Sequence, residues 1–245
     1  MEIVVTQAEG LLLLNFGTPW CQGVMRIGAP DRLELEYAVR MSAWLLFHEP
    51  DSLPGKHLVT LGLGAGSLTK FAHRVLRMQA TAVEIDAGVI GACRTHFMLP
   101  PDGDGLRVVH GDAAGFVAQP EGRGSIDVLQ VDAYTGSVDK PVLDTEAFYA
   151  DCRTGLREGG TVAVNLIGRA LDARASVARL REGLRPRALW QFPPTEAGNV
   201  VVIAHCGETP REDELAARAA QIEQRWDLPA RGWLAMARRS SPPSS

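Results

Sequence analysis

Leu58-Val59-Thr60-Leu61-Gly62-Leu63-Gly64-Ala65-Gly66-Ser67, followed after one amphipathic segment by Ala82-Val83-Glu84-Ile85-Asp86, decides the fold of this chain. A short apolar run ends in three alternating glycines, and a second apolar run ends in an acid. The pattern predicts a strand, a tight turn, a helix and a second strand with a carboxylate at its tip. That is the first half of a nucleotide-type binding unit. Gly62, Gly64 and Gly66 let the backbone turn sharply and let a ligand approach it without a Cβ in the way. The N–H groups that open the helix then face the polar end of the ligand. The alternative is that the glycines only tighten a strand-to-helix turn.

The spacing narrows the ligand. A dinucleotide fingerprint reads G-x-G-x-x-G, and Ser67 stands at its sixth position. The G-x-G-x-G found here is commoner in folds that bind S-adenosylmethionine. No G-K-[ST] follows, which excludes a P-loop. Glu84 lies roughly 20 residues on, where an acid accepts hydrogen bonds from ribose hydroxyls, and Asp86 follows on the same loop. Gly111-Asp112-Ala113 follows the third strand, where a carboxylate can accept from an adenine amino group.

Outward from this unit, strands are predicted at 57–61, 80–85, 106–109, 125–132, 159–166, 187–192 and 199–205. Helices are predicted at 66–78, 87–97, 112–118, 144–157 and 170–184. Such alternation implies an α/β protein with a mostly parallel seven-stranded sheet covered on both faces. Only Pro193-Pro194-Thr195-Glu196-Ala197-Gly198 joins the last two strands, too short for a crossover, so one strand runs antiparallel. This is the Rossmann-like pattern of class I methyltransferases. In front lie small β-hairpin strands and an amphipathic helix at 33–47, which make an N-terminal segment of 1–48. The nucleoside-binding domain then spans 49–208. A C-terminal helix spans 209–237, opening at Thr209-Pro210 with a capping box. The serine- and proline-rich tail, 238–245, reads as disordered.

Asp127-Val128-Leu129-Gln130-Val131-Asp132-Ala133-Tyr134 reads as a buried strand ending in an acid and an aromatic. Asp132 there can hold a cationic substrate nitrogen or take its proton, or cap the following turn. Tyr134 either walls a substrate pocket or packs in the core. Tyr37 lies on the apolar stripe of the front helix, which can fold over the crevice, while Glu36 faces solvent.

Composition sets limits. The 245 residues are 46% hydrophobic and 22% charged, with a net charge of -4. That is ordinary globular balance with no basic field for nucleic acid. Cys21, Cys93, Cys152 and Cys206 form no C-x-x-C pair, and the six histidines show no metal-ligand spacing. No apolar run approaches the roughly 20 residues needed to cross a bilayer. The start of the chain lacks signal-peptide character. The expectations are therefore no metal, no nucleic acid, no membrane and a cytoplasmic location.

With these motifs assembled, the chain resembles the spermidine synthase family of aminopropyltransferases from about Gln22 to Cys206. The resemblance is carried by Gln22-Gly23-Val24-Met25, the Tyr37 helix, the glycine loop and Val83-Glu84-Ile85-Asp86. Gly111-Asp112-Ala113, Val131-Asp132, Leu143-Asp144-Thr145-Glu146-Ala147-Phe148-Tyr149 and Leu156–Asn165 complete it. It implies transfer of an aminopropyl group from decarboxylated S-adenosylmethionine to an amine, and a homodimer. It gives Glu84 the ribose, Asp112 the adenine, Asp132 the deprotonation of the amine and Tyr37 its orientation. Three departures stand out. Ala65 replaces a glycine-loop aspartate, Thr135 replaces a second acid of the family's D-S-S-D-P loop, and Arg26 replaces a glutamine. Burying a dication without those acids is costly, so Asp31, Glu36 or Asp139 would have to compensate. Arg26 can instead meet the carboxylate of intact S-adenosylmethionine or of an acidic acceptor. That leaves a small-molecule methyltransferase, or a non-catalytic nucleoside-binding homologue, as alternatives.

Overall fold

The computed structural model describes residues 2–17, 21–119, 123–133, 143–167 and 173–240. Tyr134, Thr135 and Asp139 fall outside them. β1 (Val4–Ala8), β2 (Leu11–Asn15) and β3 (Cys21–Arg26) form a three-stranded antiparallel sheet. The helix expected at 33–47 is α1 (Glu36–Met41), which tightens into 3₁₀ turns over Ser42–Phe47. At that junction the Ser42 hydroxyl bonds back to the Ala38 carbonyl at 3.2 Å, a competition that bends helices.

The main sheet holds β4 (His57–Leu61), β5 (Gln79–Glu84), β6 (Leu106–His110), β7 (Ile126–Val131), β8 (Leu156–Leu166), β9 (Ala188–Gln191), β10 (Val200–His205) and β11 (Arg238–Ser240). Their order is β11-β9-β10-β8-β7-β4-β5-β6. The β4, β5, β6, β7 and β8 strands run parallel, and β10 pairs antiparallel with both β8 and β9, as the short loop between β9 and β10 requires. Two expectations change. The sheet has eight strands rather than seven, and Arg238–Ser240 is not a disordered tail but pairs antiparallel with β9. Side chains explain this ordering: Arg239 lies 4.6 Å over the Trp190 ring, and Arg181 donates to Ser240 Oγ at 2.7 Å.

Helices α2 (Ser67–Lys70), α3 (Ala87–Thr95), α4 (Ala113–Val117), α5 (Glu146–Gly155), α6 (Ala173–Leu184), α7 (Glu212–Trp226) and α8 (Ala230–Met236) cover the sheet. α2 passes into a π-turn at Phe71–Val75. α7 starts later than Thr209-Pro210 suggests, because the Glu214 carboxylate accepts from the Arg211 N–H at 2.7 Å and sets the first turn there. One core joins Trp44, Leu215, Ile222 and Trp233 to Leu14 and Met25 of the small sheet. A second core lies among Phe148, Tyr149, Leu180 and Val202.

The small sheet docks directly on the glycine loop. A Cβ on Gly23 of β3 would sit 2.5 Å from the Ala65 nitrogen and 2.6 Å from its Cβ. Gly23→Ala is therefore expected to cost about 1–3 kcal/mol by overpacking, read as a lower denaturant midpoint. An unchanged midpoint would show that the sheet is not seated on the loop.

Beneath β8 and β10, His48 Nε2 lies 2.9 Å from Thr161 Oγ1, which lies 2.8 Å from His205 Nδ1, while His205 Nε2 lies 3.1 Å from the Glu208 carbonyl. The carbonyl makes Nε2 of His205 a donor, so its Nδ1 accepts from the Thr161 hydroxyl, and His48 donates to the Thr161 oxygen. Burial pushes His48 down to about 3 and His205 down to about 4. The unfolded chain thus binds more protons than the folded one between those values and about 6.5, so these residues destabilise the fold as pH falls through that window. His48→Gln should flatten the fall of the urea midpoint between pH 6.5 and 4 relative to wild type. Parallel curves would exclude His48 as a source of acid sensitivity.

Candidate active site

The site sits where open α/β sheets place ligands, at the carboxyl ends of the central strands. β4 lies between β5 and β7, so the loops after β4, β5 and β7 converge. Two glycines make the convergence possible. Gly62 has φ 91°, and a Cβ there would lie 2.2 Å from the Asp132 carbonyl oxygen. Gly64 has φ 51°, and its Cβ would press on the Gln22 carbonyl at 3.0 Å. The missing side chains let the end of β7 and the start of β3 close directly on the loop. Asp132 N donates to the Leu61 carbonyl at 2.8 Å, which sets the acid beside the glycines.

A cavity of about 580 Å³ opens at this point. Tyr37, Gly62, Gly64, Glu84, Asp86, Asp112, Ala113 and Asp132 line it, so eight of the residues singled out in the sequence meet at one place. Gly66 does not; it caps α2 in a left-handed conformation beneath the loop. Arg26 is outside as well. Its guanidinium makes a paired bond to Glu34, Nε to Oε1 at 2.9 Å and Nη2 to Oε2 at 2.6 Å, and it is exposed. The structure therefore places Arg26 on Glu34 at the surface and not among the residues that line the cavity. Two of the compensating acids are committed elsewhere, Asp31 to Arg74 at 3.2 Å and Glu36 to Arg40.

The carboxylates are held in different ways. Glu84 accepts from the Leu63 N–H at 2.9 Å on one oxygen and from the Asp86 N–H at 2.9 Å on the other. It thereby ties β5 to the glycine loop while facing the cavity. Asp86 caps α3, with Oδ1 accepting from Gly88 N at 2.8 Å, and Asp112 caps α4, with Oδ2 accepting from Gly115 N at 2.6 Å. Both still line the cavity. Asp132 is crowded by protein atoms on the cavity floor. Desolvation raises it to about 6, although hydrogen bonds from Asn165 and Tyr37 act in the opposite direction. A carboxyl poised there is ionised at neutral pH yet basic enough to take a proton.

Sequence reading missed several lining residues: Gln22, Leu143, Asn165, Ile167 and Asn199. One signal was available. Asn165 is a lone amide near the carboxyl end of the otherwise apolar run Val162-Ala163-Val164, where a buried polar group must have a partner.

No family model matches the chain. The polyamine aminopropyltransferase of Neisseria meningitidis serogroup A is 30% identical over 245 residues, covering 98% of this chain and 90% of that protein. The chain belongs to the polyamine aminopropyltransferase family. Among solved structures, a probable spermidine synthase from Corynebacterium glutamicum superposes with a TM-score of 0.75 at 21% identity, covering 98% of this chain and 87% of that one. Human methyltransferase-like protein 13, solved with SAH, gives 0.70 at 21% identity over 80% and 93%. At these identities the two structures establish the shared fold. In this polyamine aminopropyltransferase homologue, Ala65 of the glycine loop is buried. The residue is 3% exposed and packs on Gly23, so the position serves the contact between the sheets. Among the described residues, no group of acids, histidines and cysteines is arranged for a metal, and no helix is long and apolar enough to cross a membrane.

Proposed function

We propose that this chain transfers an aminopropyl group from decarboxylated S-adenosylmethionine to an amine acceptor. The observation that carries the reading is the placement of Asp132, raised to about 6, beside the glycine loop in the cavity that Glu84 faces from the next strand. Glu84 would hold the ribose and Asp112 the adenine amino group. Asp86 and Ala113 complete that side, and the Gly62 and Gly64 backbone leaves room for the nucleoside. The bound donor supplies an electrophilic carbon on a sulfonium. The amine nitrogen forms a bond to that carbon as the carbon–sulfur bond breaks, methylthioadenosine leaves, and the amine's proton goes to Asp132. Tyr37, hydrogen-bonded to Asp132, orients the nitrogen. Holding the two reactants in line supplies much of the rate.

The acceptor is an amine whose reacting nitrogen meets Asp132. Among the described residues, the other cavity carboxylates are Glu84, Asp86 and Asp112 on the nucleoside side, while Leu143 and Ile167 give the remaining wall apolar surface. This favours an acceptor with one cationic end and a less polar body over putrescine. A homodimer and a cytoplasmic location belong to the same proposal, and sedimentation velocity reads the former.

Ala65 supports a second reading. Without an acid at that position the donor's own carboxylate meets less repulsion, so intact S-adenosylmethionine and methyl transfer become possible. Calorimetry with S-adenosylmethionine, its decarboxylated form and methylthioadenosine, followed by methylthioadenosine release with a panel of monoamines and diamines, separates the two. Preference for the decarboxylated form with amine-dependent release is expected. Preference for the intact form would favour methylation, and binding of none of the three would remove both enzymatic readings.

A further inference from the structure

We propose that Asn165 and Asn199 are positioning residues for Asp132, forming a directed chain of amide hydrogen bonds that orients its carboxyl group and favours its ionised form. The inference rests on the reading of Asp132 as the base and goes beyond it. The chain begins at the turn between β9 and β10. The Thr195 hydroxyl donates to Asn199 Oδ1 at 3.2 Å, Asn199 Nδ2 donates to Asn165 Oδ1 at 3.0 Å, and Asn165 Nδ2 donates to Asp132 Oδ1 at 2.8 Å. Every donor points toward the acid. Thr195, Asn199 and Asn165 are 6%, 3% and 4% exposed. Buried amides are costly unless paired, and a chain of hydrogen bonds with one polarity strengthens each member in a low-dielectric setting. Its terminal acceptor is an anion, the strongest partner an amide N–H can have.

The turn that carries the chain is itself fixed. Thr195 N donates to the Asn199 carbonyl at 2.8 Å, and Asn199 N donates to Thr195 Oγ1 at 3.0 Å. Arg40 of α1 bonds the Pro193 carbonyl and Glu36, and Glu36 Oε2 accepts from Glu196 N at 3.4 Å. α1 also carries Tyr37, the second hydrogen-bond partner of Asp132. Arg40 thus ties α1, which carries one partner of the acid, to the turn from which the amide chain leads to the other. Among the described residues, the titratable groups that share the cavity with Asp132 are Tyr37 from α1, Cys21 from β3, Glu84 and Asp86 at the end of β5, and Asp112 after β6. Burial disfavours ionisation of Asp132, and the hydrogen bond from Asn165 at the end of the amide chain works against that cost.

The test is a carboxyl ¹³C NMR titration of Asp132 in the ligand-free full chain, run beside the pH profile of methylthioadenosine release. Asn165→Ala is expected to raise the Asp132 midpoint by about one pH unit, about tenfold in proton affinity. The acid limb of turnover should move with it, and KM for the nucleoside should not change. Asn199→Ala is expected to shift the midpoint in the same direction by about half as much. It leaves Asn165 in place and serves if the first variant does not fold. Midpoints unmoved in the folded variants would overturn the proposal and reduce the amides to packing. A moved midpoint in a protein whose wild type releases no methylthioadenosine would instead overturn the proposed function and leave the amide chain standing.

Discussion

Asp132→Asn is expected to lower kcat by about 10²–10⁴-fold, the range for losing a positioned general base, with little change in nucleoside affinity. The geometry makes this variant informative. The substituted amide keeps an oxygen that can accept from Asn165, so the hydrogen bond seen at 2.8 Å in the wild type is retained. Stability should move the other way. In wild type the folded midpoint, about 6, lies above the ordinary carboxylate value of 3.8. The folded state therefore binds the proton more tightly, and that contribution is present below pH 3.8 and lost as pH rises through 6. At neutral pH the ionised group costs on the order of 2 kcal/mol, allowing for water in the cavity. A neutral amide removes that cost. Lower turnover together with a higher denaturant midpoint at pH 7.5 is the expected pair, the pattern of a residue retained for chemistry at the expense of stability. Wild-type turnover in the variant would take Asp132 out of the reaction.

Glu84→Ala is expected to weaken methylthioadenosine binding by about 10–100-fold, the loss of hydrogen bonds to a charged acceptor. Calorimetry reads it. The effect has two sources. The carboxylate is the proposed ribose ligand, and it also receives the Leu63 and Asp86 N–H groups. Removing it frees two backbone donors and loosens the glycine loop against β5. Glu84→Gln separates these contributions, because one side-chain oxygen still serves a backbone donor while the other becomes a donor itself. A smaller loss for glutamine than for alanine is expected. Unchanged affinity in both variants would contradict the ribose assignment.

Much of this site was legible in the sequence because its residues follow strands. A glycine loop, Glu84, Asp112 and Asp132 each terminate an apolar run, and in a parallel sheet the carboxyl ends of such runs must lie on one edge. Local chemistry therefore carried long-range information. Arg26 shows the opposite case. Its position in the motif suggested a ligand contact, but Glu34, eight residues on, neutralises it outside the cavity. The order of Arg238–Ser240 was equally invisible, since it depends on the distant Trp190 and Arg181. So was the break in the front helix, whose apolar periodicity continues across Ser42 into the 3₁₀ turns.

Periodicity and turn chemistry alone determined the alternating sheet, the reversed strand after the short loop, and the acids available at its edge, because those follow from hydrogen-bonding geometry over a few residues. Tertiary structure decided which of the acids are anchored by backbone donors, which is desolvated, and which amides reach it. Asn165 and Asn199 are 34 residues apart and become partners only when β8 and β10 pair antiparallel. The proton affinity of a carboxyl depends on what surrounds it, and those surroundings are assembled only by folding.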